Sequence, residues 1–321
     1  MSCTRHNPFS LTDTAILETN SPTITGTVTP IFTPTITATI TPTSLPTNVT
    51  PVYTLQWGSA GNANGQFNNP YAVCIGTNGD VYVTDSGNNR VQEFNTNGSF
   101  VRTIGGVGTF PYGIASSSNS NIYVASSSSQ TVFSFNPDGT PVDSFTPAVQ
   151  YMRGIASFGN SWLAFADHTG NRIIVSTMAG VQITAWGGSG TQAGKFSTPE
   201  GVAIDSSGNI YACDMNNHRV QKFNSSGTYI SMLGNGVSGS ADGQFNTPRG
   251  ICITAAGNIL VADTGNSRIQ EFLPNGSFLR KWGSNGSGNG QFLRVTGITV
   301  DSLGNIYTVD YDSNRVQKFN P

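Results

Sequence analysis

From about residue 52 to the C-terminus the chain resembles itself every ~40–50 residues, and no other feature restricts the fold as strongly. One copy shows the whole unit. In Phe196-Ser-Thr-Pro-Glu-Gly-Val-Ala-Ile-Asp205 the segment GVAID alternates as a strand does. The following Ser-Ser-Gly-Asn is a tight turn, and Asn-Ile-Tyr-Ala-Cys213 is a second strand ending at Asp214. A polar loop, Met-Asn-Asn-His218, leads to a third strand, Arg219-Val-Gln-Lys-Phe223. After Ser-Ser-Gly, the segment Thr228-Tyr-Ile-Ser-Met-Leu-Gly234 supplies a fourth. Four short strands joined by hairpins make one blade of a β-propeller.

The first strand recurs from Pro70, Pro111, Met152, Pro199, Pro248 and Val295, which predicts six blades. The last copy stops at Arg315-Val-Gln-Lys-Phe-Asn-Pro321, after a third strand. The first is preceded by Val52-Tyr-Thr-Leu-Gln-Trp-Gly58, which matches the fourth strand Phe278-Leu-Arg-Lys-Trp-Gly283. The N-terminal strand is therefore expected to complete the last blade and to pair edges that would otherwise stay open. The expected fold is all-β: a six-bladed propeller of four-stranded antiparallel blades over residues 51–321, closed by its N-terminal strand. The segment Gly257–Phe272, GNILVADTGNSRIQEF, resembles the NHL repeat family almost throughout, and the resemblance extends over residues 52–321. It implies the propeller fold. It leaves function open, because such repeats occur in RNA-binding domains of ubiquitin ligases, a bacterial receptor-kinase sensor domain and an amidating lyase.

An acidic residue ends the second strand and an arginine begins the third five positions later: Asp85/Arg90, Asp167/Arg172, Asp214/Arg219, Asp263/Arg268 and Asp310/Arg315. Blade 2 has Ser126 and Thr131 at these places, so both partners are lost together. Such covariation within one chain points to structural ion pairs across the loop rather than to a ligand ring.

Charged residues are only 10% of the chain and the net charge is −2. With five arginines assigned to ion pairs, nothing speaks for a basic nucleic-acid surface. Cys74 and Cys252 stand where other copies have Ala115 and Ala203, and Cys213 aligns with Thr84 and Ala262. These are expected to be packed, unpaired thiols. His168 and His218 fall in loops of adjacent blades and lack the third ligand that a metal site of the amidating-lyase kind would need, so no metal or cofactor is expected.

One register breaks the regularity. The residue before the Gly of the first strand, or before its equivalent, is Tyr71, Tyr112, Arg153, Glu200, Arg249 and Thr296 in turn. Variation at one position of a repeated scaffold is what a grafted ligand site looks like. Arg153, Glu200 and Arg249 are expected to form an arc at the channel mouth, opposed by Tyr71 and Tyr112. Guanidinium groups there would favour a carboxylate or phosphate.

Residues 1–50 are rich in Thr and Pro, with prolines at 22, 30, 34, 42 and 46, and are expected to be a disordered, extended stalk. No apolar signal region stands before Cys3 in this sequence, so none is assigned; Cys3 followed by a long spacer nevertheless resembles the start of a bacterial lipoprotein with a lipid anchor. The function expected is a non-catalytic module binding a protein, a peptide or a small anion, displayed at a bacterial cell surface or outside the cell. The alternatives are an enzyme of the lyase or lactonase type and an RNA-binding NHL domain.

Overall fold

The computed structural model describes residues 49–321. Most of the expected stalk and the proposed anchor Cys3 lie outside the described residues. The rest forms six four-stranded antiparallel sheets, the blades of a propeller. Blades 1 to 5 are each continuous in sequence, with first strands at Pro70–Ile75, Pro111–Ser116, Met152–Phe158, Pro199–Ile204 and Ile251–Ile253. Blade 6 is built from both ends: the strand Val52–Trp57 pairs antiparallel with Arg315–Asn320 and completes the sheet begun by Val295–Val300 and Ile306–Asp310. Gln56 accepts a hydrogen bond of 2.6 Å from Arg315 Nη1, which ties the closing strand to the blade loop.

The core is divided among the blade interfaces. Six apolar clusters each join two neighbouring blades, for example Cys74, Tyr82 and Val91 of blade 1 against Ile114, Val124 and Phe135 of blade 2. Alternation along each strand sends one face to the blade before and the other to the blade after. Second strands are buried at every position in five blades, and at every position but Trp162 in blade 3, because both of their faces are covered.

Long inter-blade loops are fixed from below. In blade 4, Asp214 is fully buried and its Oδ2 receives Arg219 Nε at 2.8 Å. Asp214 Oδ1 accepts the backbone N–H of Ser197 at 2.7 Å, while Arg219 donates to the carbonyls of Thr191, Gln192 and Lys195. Gln221 adds bonds to the Lys195 carbonyl and the Gly194 N–H. The pairs Asp85–Arg90 (2.7 Å), Asp167–Arg172 (2.9 Å), Asp263–Arg268 (2.7 Å) and Asp310–Arg315 (3.6 Å) occupy the same place. Each pair therefore does more than bridge its hairpin. It also hydrogen-bonds the partly buried backbone of the loop that enters its own blade.

The fifth blade departs from the sequence expectation. Its first strand starts at Ile251, not Pro248, although Arg249 N–H still donates to Ala262 O at 3.0 Å. In the other five blades a β-bulge follows the opening residue, between Pro70 and Val73 in blade 1 and at the matching places elsewhere. The varying register sits in this irregular stretch, and a bulge re-aims its side chain.

Candidate functional site

The first strands run side by side around the axis, and the bulged residues meet at one end of the channel. The neighbouring strands approach so closely there that a Cβ on Gly201 would lie 2.2 Å from the Arg249 carbonyl oxygen. This explains why glycine follows the varying residue in five of the six blades. Behind the ring, Val73, Ile114, Ile155, Val202, Ile251 and Ile298 line a narrow apolar channel.

Tyr71, Tyr112, Arg153, Glu200, Arg249 and Thr296 all line the mouth, but they divide into two groups. The first group closes the axis. Tyr71 of blade 1 donates its hydroxyl to Glu200 Oε2 of blade 4, on the opposite side of the ring, at 2.5 Å. Arg249 Nη1 donates to Glu200 Oε1 at 3.0 Å and to the Tyr71 hydroxyl at 3.2 Å. Thr296 donates to the Tyr71 carbonyl at 2.7 Å. Tyr71, Glu200 and Thr296 are all buried. Burial first, and then the neighbouring Glu200 carboxylate, push the Tyr71 phenol above its usual range, so it stays a donor.

The second group is open. Arg153 makes no ion pair and no side-chain hydrogen bond with any described residue, and its Nε is buried without a partner. Glu200 bridges to Arg249 and not to Arg153, so the two arginines flanking it in sequence order have different surroundings. Tyrosine rings hold the Arg153 guanidinium: its carbon lies 3.9 Å from the Tyr112 centroid, 5.0 Å from Tyr151 and 5.3 Å from Tyr71. Cation–π attraction of this kind contributes about 0.5–2 kcal/mol and leaves the N–H groups free to donate. Arg294, a third cation at this end, is paired with Asp312 at 3.1 Å and lies over Tyr311.

His168 Nδ1 approaches Glu200 Oε1 to 3.4 Å but is buried without a hydrogen bond. Burial lowers the imidazole pKa below its ordinary value; Glu200 opposes this, and Arg153 and Arg249 reinforce it. His218 has a different task. It sits in left-handed backbone and its Nδ1 accepts the Thr247 N–H at 3.1 Å, as Asn171 Oδ1 accepts Thr198 N–H at 2.8 Å one blade earlier. The histidine thus serves as an asparagine substitute at a loop junction. Among the described residues no group of three metal-ligating side chains exists. Cys74, Cys213 and Cys252 are unpaired, and burial raises all three thiol pKa values.

Sequence reasoning missed Tyr151, Tyr311 and Phe110 as members of this mouth. A second varying register would have exposed Tyr311. The residue after the buried Asp or Ser is Ser86, Ser127, His168, Met215, Thr264 and Tyr311 around the ring. Ser86, Ser127 and Thr264 donate to the first-strand carbonyls of Pro111, Met152 and Val295. His168 and Tyr311 instead join the aromatic surface at the mouth.

The family model of the NHL repeat matches residues 67–94, 196–223, 245–272 and 292–319, which are blades 1, 4, 5 and 6 from their entering Phe to the end of the third strand. No curated protein matches. Solved structures share the architecture. A catalytically inactive variant of virginiamycin B lyase from Staphylococcus aureus, with quinupristin, is 16% identical, with a TM-score of 0.59 over 81% of this chain and 86% of the lyase. A protein of unknown function from Bacteroides thetaiotaomicron is also 16% identical, with a TM-score of 0.69 over 83% of this chain and 76% of its own. An auxiliary nutrient binding protein from the same organism is 12% identical, with a TM-score of 0.63 over 79% and 69%. At these identities the likeness is one of fold alone.

Proposed function

We propose that this six-bladed NHL-repeat propeller is a non-catalytic binding module whose axial mouth takes a small anionic ligand or an acidic peptide segment. The observation that carries the reading is Arg153, a largely enclosed cation with no carboxylate partner among the described residues, walled by tyrosines at the open end of the channel. Taking a guanidinium out of water is unfavourable, and an arriving anion supplies the missing partner. The fold does not choose between binding and catalysis, since a lyase and a nutrient-binding protein share it. The chemistry favours binding: Glu200, the one carboxylate among the described residues that line the mouth, already accepts from Tyr71 and Arg249. Display outside the cytoplasm on a lipid-anchored stalk rests on Cys3 and the Thr/Pro-rich segment after it, and lipid labelling of Cys3 tests it.

The test of the mouth is ligand-observed NMR with acetate, inorganic phosphate and a short poly-Glu peptide against wild type and Arg153→Gln. Binding of at least one probe that is lost in the variant, with little change in Tm, is expected. Equal binding of every probe to both proteins removes the mouth from consideration.

A further inference from the structure

Resting on the reading of the mouth as an anion site, we infer that its ligand is a monocarboxylate carried on a flat apolar or aromatic group, in preference to a phosphate. The first observation is charge. Three arginines face this end, but Arg249 is bound to Glu200 and Arg294 to Asp312. Of these three, Arg153 alone has no carboxylate partner among the described residues, and Glu200 close by opposes a second negative charge. One free cation suits one negative charge, whereas phosphate clamps combine several donors and cations.

The second observation is shape. With Tyr112 against its face, the Arg153 guanidinium offers its in-plane N–H edge. A carboxylate is planar and meets such an edge with two parallel hydrogen bonds. The substituent of a coplanar carboxylate then continues along the aromatic walls. A cavity of about 170 Å³ at the mouth, with Tyr71, Tyr112, Arg153, Arg249, Arg294 and Tyr311 among its walls, admits a small planar group.

The third observation is independent of the ring. Phe110 enters blade 2 in left-handed backbone, φ +52°, and is 48% exposed. Blades 1, 4 and 5 place Asn69, Thr198 and Thr247 at the same conformation. A bulky apolar residue there is strained and leaves apolar surface in water. Its N–H is held by Asn89 Oδ1 at 2.9 Å, and its ring lies nearly parallel to Tyr112, 14° between planes at 6.3 Å. The exposed ring thus extends the aromatic surface of Tyr112, and a flat ligand lying beyond Tyr112 would cover it.

The experiment is an NMR titration of benzoate, acetate and inorganic phosphate against wild type, Arg153→Gln and Phe110→Thr. Benzoate should bind about five- to tenfold more tightly than acetate, from ring stacking and apolar burial, and more tightly than phosphate. Phe110→Thr should reduce the benzoate preference over acetate by about threefold or more while Tm holds or rises. Arg153→Gln should abolish binding of all three. Phosphate binding as tightly as benzoate, or a benzoate preference untouched in Phe110→Thr, overturns the inference while an Arg153-dependent anion site stands. If no probe depends on Arg153, both readings fall.

Discussion

Blades 3 and 4 are neighbours with the same four strands and the same Asp–Arg pair, yet their arginines serve different loops. Arg219 of blade 4 has a side chain only 6% exposed and donates to Asp214 and three loop carbonyls, with Gln221 beside it. Arg172 of blade 3 is 35% exposed and donates to Asp167 and one carbonyl, that of Ala148; Ile174 stands where blade 4 has Gln221. Blade 2 has gone further and lost both charges and the glutamine, with Phe133 in its place. The inter-blade loops that enter blades 2 and 3 are the short ones. A long loop has partly buried backbone to satisfy, and the arginine–glutamine set satisfies it; when the loop is short, the set is not needed. The same two blades carry Phe110, Tyr112, Tyr151, Arg153 and His168. The mouth's unusual side chains thus cluster where the scaffold demands least of its loops.

The largest expected effect tests that difference directly. Arg219→Ala leaves Asp214 buried without its ion-pair partner and the carbonyls of Thr191 and Gln192 unpartnered, and should cost about 3–5 kcal/mol in unfolding free energy. Arg172→Ala should cost about 1 kcal/mol, because its pair is a third exposed and screened by water. Denaturant melts of both variants measure this. Similar losses in the two blades would show that loop satisfaction is not what separates them.

Gln221→Ala comes next, at about 1–3 kcal/mol for the Gly194 N–H left without a partner and the lost bonds to the Lys195 carbonyl and Asp214. Ile174→Gln in blade 3 is the converse. It should not stabilise and should lose apolar packing, since no long loop awaits the amide. A gain in Tm for Ile174→Gln would break the link between loop length and glutamine.

The same contrast appears within the ring of mouth residues. Arg249→Ala removes the ion-pair partner of the buried Glu200 and should lower stability by several times the effect of Arg153→Ala, which removes mainly a cation–π contact worth about 0.5–2 kcal/mol. Comparable Tm losses from the two substitutions would make Arg153 a structural residue and argue against a free binding cation.

Much of the propeller was legible because repetition reports on itself. Six first strands, the split sixth blade and the Asp–Arg covariation all follow from aligning the chain with its own copies. Where the alignment weakened, so did the reading: the strand expected from Pro248 begins at Ile251, because the irregular stretch around Arg249 falls outside regular pairing. The six mouth positions were visible as one varying register. Their partition was not. Which arginine Glu200 would take depends on how each bulge aims its side chain, and no pattern of residue types encodes that. Phe110, Tyr151 and Tyr311 stand in two further aligned registers, before the first strand and after the buried Asp or Ser, but residue type alone does not tell which side chains turn toward the mouth.

The smallest effect is a pH dependence centred on His168, the residue that replaces a carbonyl-capping Ser or Thr. Glu200, Arg153 and Arg249 are the charged groups that act on it, and Tyr151 packs beside it. Its pKa in the folded protein is lowered from 6.5, by burial above all. The unfolded chain therefore binds the proton first as pH falls. Between 6.5 and the lower folded value the unfolded state holds more protons, so stability declines through that window on acidification and flattens below it. His168→Ser imitates blade 1, where Ser86 donates to the Pro111 carbonyl, and offers the same bond to Pro199. Relative to that variant, the wild type should lose an additional Tm on the order of 1–2 °C between about pH 7.5 and 5.5. Parallel Tm–pH curves for the two proteins would show that His168 keeps its unfolded-state titration in the fold, and would remove it from the electrostatics of the mouth.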